Sequence, residues 1–93
     1  MIRSMVIQQE IKDFIETHLQ FMVSQTKSYV PFIKTAFPIQ KNLADSCYSL
    51  IAGNALSVFI SQYAMRMKYP SEEDLKEFGI IAEKYRTKIE KLF

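Results

Sequence analysis

Between Ser46 and Met65 the chain carries no charged residue. A run of that length can cross a bilayer, or it can form a helix buried on more than one side. Ser46, Ser49, Asn54, Ser57, Ser61 and Gln62 are spread through it, and polar groups in lipid are costly. The run therefore predicts a helix inside a soluble bundle, and no membrane partner is expected. Pro38 and Pro70 bound this helix, which should cover about 41–68.

Its main stripe at helical spacing is Leu43, Cys47, Leu50, Ile51, Val58, Met65 and Tyr69, with Asn54 at the centre. The other faces are hardly polar, holding Tyr48, Ala52, Ala55, Leu56, Phe59, Ile60 and Tyr63. Ser49, Gly53, Ser57 and Ser61 recur every fourth residue. Small side chains at that spacing form a shallow groove that a second helix can approach closely.

Two further helical segments flank this one. In the first, Ile7, Ile11, Phe14, Ile15, His18, Met22 and Tyr29 share one arc, with Glu10, Asp13, Glu16, Gln20, Ser24 and Lys27 opposite. Ser4 is the expected N-cap and Pro31 the expected stop, which gives a helix over about 4–29. In the last, Leu75, Phe78, Ala82, Tyr85, Ile89 and Leu92 alternate by three and four. Ser71 and Asp74 resemble a capping box, and the helix should span 72–92. Its acids come early (Glu72, Glu73, Asp74, Glu77) and its bases late (Lys84, Arg86, Lys88, Lys91), as the helix dipole favours.

Between the first two helices lies KSYVPFIKTAFPIQK, residues 27–41, at once aromatic, basic and free of acids. The expectation is a short extra helical turn over about 32–37. Phe32, Ile33, Phe37 and Ile39 would plug the open end of the core while Lys27, Lys34 and Lys41 stay in water. The fold class that follows is all-α: a single domain over 1–93, an up-down-up three-helix bundle with that extra turn.

Little chemistry is legible. His18, Cys47 and Asn54 are the residue types of a cysteine–histidine site. However, an antiparallel pairing of the first two helices sets His18 level with Asn54 and Cys47 more than a turn away. A buried His18–Asn54 hydrogen bond is the expected outcome. One histidine and one cysteine match no metal-ligand spacing, and Gly53 and Gly79 fall within helices rather than in a phosphate loop. No catalytic residue, metal or cofactor is assigned, and the chain is not expected to be an enzyme. The lone Cys47 fits a reducing, cytoplasmic setting.

What remains is a surplus of apolar surface. One small core cannot absorb Phe21, Val23, Tyr48, Phe59 and Tyr63 together, and Ile80 points away from its own seam. The expected role is a small interaction or accessory subunit that docks on a larger complex, such as a polymerase holoenzyme. Its partner surface would be Phe21, Tyr48, Phe59, Tyr63 and Ile80, and a homodimer through the same surface explains it equally well. The alternative is direct DNA or RNA binding. From Thr17 to Tyr69 the sole acid, Asp45, faces Lys27, Lys34, Lys41, Arg66 and Lys68. Segment 27–41 and the basic end of the last helix would then supply stacking and phosphate contacts.

Overall fold

The structure, a computed structural model, describes residues 7–39 and 41–93. Four α-helices appear among them: α1 (Gln9–Ser24), α2 (Thr26–Ala36), α3 (Leu43–Ala64) and α4 (Glu72–Glu90). The expected N-cap, Ser4, lies outside the described residues. The all-helical, bundle-like packing agrees with the sequence; the element count does not. What was expected as one helix to Tyr29 and a short turn is two helices.

The break falls at Gln25, before the proline. There the Gln25 N–H donates to the Met22 carbonyl, and the buried Thr26 hydroxyl donates to the Val23 carbonyl at 2.7 Å. A new helix starts from this turn and runs through Pro31. Pro31 is exposed, so water can serve the carbonyl its missing N–H leaves free.

The other boundaries have visible caps. Asn42 opens α3 by accepting from the Asp45 N–H. Ser71 and Asp74 form a reciprocal capping box at the start of α4. The end of α3 comes four residues before the expected Lys68. Met67 takes a left-handed φ of 59°, and Met67 and Lys68 donate backward to Ala64 and Tyr63. This is the Schellman pattern, here with a side chain where glycine is usual.

The core joins α1, α3 and α4, with α2 closing against α3 and α1. In α1 the buried residues are Ile11, Ile15, Leu19 and Met22, continuing from Ile7; in α3 they are Cys47, Ile51, Ala55, Phe59 and Tyr63. The α3 row advances by four residues throughout and the α1 row does so from Ile7 to Leu19, the spacing of helices that pack along their oblique ridges. A four-residue step rotates about 40° around a helix. The α3 row therefore winds round its axis, whereas the stripe read from the sequence was straight. That difference moves two side chains from the proposed partner surface into the core.

Phe59 is completely buried, packed against Tyr63 (centroids 5.1 Å apart) and against Phe78 of α4 (4.9 Å). Tyr63 is also buried, so neither residue offers surface to a partner. The expected plug is overturned in the same way. Only Ile33 is buried, while Phe32 is 72% and Phe37 58% exposed, and Ile39 is exposed too. In α4, Phe78, Ala82, Tyr85 and Ile89 are buried as expected; Ile81 joins them, and Leu75 and Leu92 do not.

Phe59→Ala should accordingly cost about 3–5 kcal/mol in denaturant unfolding, the range for a buried aromatic. Burial, reinforced by the Asp74 carboxylate, pushes the Tyr63 hydroxyl up to about 12 from 10. Its folded value is raised, so the stabilisation it brings is complete below pH 10 and is lost as pH rises towards 12. Tyr63→Phe should flatten the alkaline limb of a stability–pH profile over that window.

Candidate interaction surface

With the core assigned, the leftover apolar surface can be located. The buried row of α3 leaves its opposite side bare: Ser49, Leu50, Gly53, Asn54, Ser57, Ile60, Ser61 and Ala64 are all exposed. No charge occurs on this face. A Cβ added at Gly53 would meet nothing within 4 Å, so among the described residues the small-residue row lies on open surface and none of the four helices occupies its groove. The helix is long and apolar enough to cross a membrane, although it also supplies the centre of the core.

On the α1 side the rim of this face is aromatic. Phe14 and Phe21 lie seven residues apart, with His18 between them; Phe21 is 61% exposed. His18 Nε2 and Asn54 Oδ1 are 2.7 Å apart. The expected pairing is therefore present, but at the surface rather than buried. On the α4 side, Tyr48 is half-buried and fixed. Its hydroxyl donates to Glu83 Oε2 at 3.0 Å, and Arg86 lies 4.6 Å from its ring centroid. Burial, then the Glu83 carboxylate, pushes the Tyr48 hydroxyl up, partly opposed by Arg86. Ile80, 69% exposed, stands out on α4.

A second apolar area lies where α2 meets the start of α3. Ile33, Phe37, Ser46, Ser49 and Leu50 line an open cleft beside Asp45. Phe32 and Ile39 add further exposed apolar surface on α2 and the segment after it. Sequence reasoning took Phe32 and Phe37 for core and so missed them as surface. The lysine spacing could have exposed Phe37 alone. Lys27 and Lys34 are one heptad apart and mark one side of α2 as solvated; Phe37 follows on that side, whereas Phe32 lies on the far side of the helix.

The basic residues divide in two. Lys27, Lys34, Lys41 and Lys68 are exposed, and among the described residues none of them forms an ion pair. Arg66 is committed: it is half-buried, bridges to Glu10, and donates to the Gln62 carbonyl at 2.8 Å.

Cys47 is a buried free cysteine, and that burial pushes its thiol up. Among the described residues, no three His, Cys, Asp or Glu side chains converge as metal ligands would.

Because the His18–Asn54 bond is open to water, His18→Ala should cost no more than about 1 kcal/mol in a thermal or denaturant melt. A loss of several kcal/mol would show that the pair anchors the α1–α3 packing. No family model, no curated protein and no solved structure matches this chain.

Proposed function

We propose that this chain is a small helical interaction or accessory subunit that docks on a larger complex. The observation that carries the reading is the exposure of large aromatic side chains beside an open cleft. Phe32 and Phe37 stand mostly in water at the α2 end, and Phe37 lines the cleft together with Ile33, Ser49 and Leu50. Phe21 reaches the same region from α1, because the register that pairs His18 with Asn54 sets Phe21 level with Leu50 and Ile51. Exposed aromatics around a concave apolar site are the usual anchors of a protein interface.

Direct binding of DNA or RNA is the second reading, and one contact favours it. Arg86 bonds Asp45 at 3.4 Å, which holds the basic end of α4 beside the start of α3. Lys88 and Lys91 are thereby gathered at the same end as Lys27, Lys34 and Lys41, while Lys84 pairs with Glu16 of α1. Phe32 on α2 adds an exposed ring on which a base could stack.

The double variant Phe32→Ser/Phe37→Ser should keep its melting temperature, since neither ring is in the core. It should also lose the partner that the unaltered chain captures from native extract, with the partner identified by mass spectrometry. A double variant that unfolds would return both rings to the core and defeat the docking surface. Salt separates the two readings. Binding to a single-stranded oligonucleotide would weaken steeply with salt, whereas apolar docking on protein would change little.

A further inference from the structure

The uncharged face of α3 and the ends of the bundle, taken together, specify one occupant. We propose that a second copy of this chain docks there, with the two α3 helices antiparallel across a two-fold axis. This rests on the reading of the chain as an interaction subunit and supplies one of its partners.

The first argument is the distribution of charge. α3 runs antiparallel to both neighbours, as the His18–Asn54 and Arg86–Asp45 contacts show. One end of the bundle therefore gathers the start of α1, the close of α3 and the start of α4. Residues 9–13 and 64–77 at that end hold six acids (Glu10, Asp13, Glu72, Glu73, Asp74, Glu77) against four bases, a net of −2. Residues 27–45 and 83–91 at the other end hold seven bases against three acids, a net of +4. Two parallel copies would set like ends together. An antiparallel pair sets each negative end beside a positive one, twice, and that complementarity both steers the encounter and fixes its direction.

Shape provides the second argument. A two-fold interface must complement itself. Along α3, an axis level with Ala55 sets Gly53 opposite the partner's Ser57, and Ser49 opposite the partner's Ser61. Small residues then meet small residues at these two levels, where the helices can approach closely, and Leu50 stands opposite the partner's Ile60 as an apolar contact between them. The exposed aromatics of α1 fit the same register. Phe14 lies one turn from His18, level with Val58, so the two-fold carries it to the partner's α3 near Gly53. There an added Cβ meets open space within the single chain. A large ring thus faces the smallest notch on the helix.

The experiment begins with sedimentation velocity and light scattering over a range of concentrations. The species at high concentration should have twice the 10.9 kDa of the chain. Gly53→Leu should raise the dissociation constant about tenfold or more by overpacking the contact. Far-UV circular dichroism should not change, because the site is open within one chain. Direction is read by cross-linking. A mixture of Ser49→Cys and Ser61→Cys chains should form a disulfide-linked pair more readily than either variant alone, and the buried Cys47 should not compete. A chain that stays monomeric, or a dimer indifferent to Gly53→Leu, would overturn the proposal. Preferential cross-linking of Ser49→Cys to itself would overturn the antiparallel arrangement. Flotation of the chain with phosphatidylcholine–phosphatidylglycerol vesicles would assign the face to lipid and overturn it as well. A monomer that still captures a protein through Phe32 and Phe37 would remove the dimer while leaving the docking reading intact.

Discussion

The contact between α1 and α3 decides where everything else lies. Ile7, Ile11, Ile15 and Leu19 on one helix and Cys47, Ile51, Ala55 and Phe59 on the other are rows of the same four-residue pitch. Rows of that kind interdigitate obliquely. Because the buried row of α3 winds roughly 160° from Cys47 to Tyr63, a single helix can serve several neighbours in turn. α2 is met near its start, α1 along its length, and α4 through Phe59 and Phe78. The face left uncovered is a consequence of the same winding.

Polar contacts at the surface hold this arrangement in register more than they stabilise it. Glu10 to Arg66, Glu16 to Lys84 and Asp45 to Arg86 each join two different helices. Exposed pairs of this kind contribute between nothing and about 1 kcal/mol. Burial acts to raise the Glu16 carboxyl, but Lys84 and the Tyr85 hydroxyl outweigh it and hold the group below its ordinary value. The fixed residue in the group is Asp74. It closes the cap of α4 through the Ser71 N–H at 2.8 Å and faces the hydroxyl of Tyr63 at the far end of α3. One carboxylate thus ties the start of the last helix to the end of the one before it.

Much of the architecture could be read directly. The amphipathic arc of α1, the capping box at Ser71 and the seam of α4 are local patterns, each set by side chains within a few turns of one another. The His18–Asn54 pairing also followed from sequence, because chain reversal near residue 35 leaves little freedom in the level at which two helices meet. The surface readings fared differently. Ile80 and Phe21 are exposed as expected, whereas Phe59 and Tyr63 are core and Phe32 and Phe37 are surface.

The sequence by itself determined that this chain is helical, where the cap of α4 forms, and that α3 must be buried on part of its circumference. It did not determine which part. The apolar residues of α3 surround the helix almost evenly, so no local preference marks an inner side, and a straight stripe and a winding one suit the composition equally. Only the tertiary packing chose between them, because the choice depends on the ridges of α1 and on the Phe78 side chain of α4. The same holds for α2. Its aromatics and lysines alternate closely enough that either set could face inward, and the turn at Gln25 settled the matter by sending Ile33 to the core and Phe32 to water.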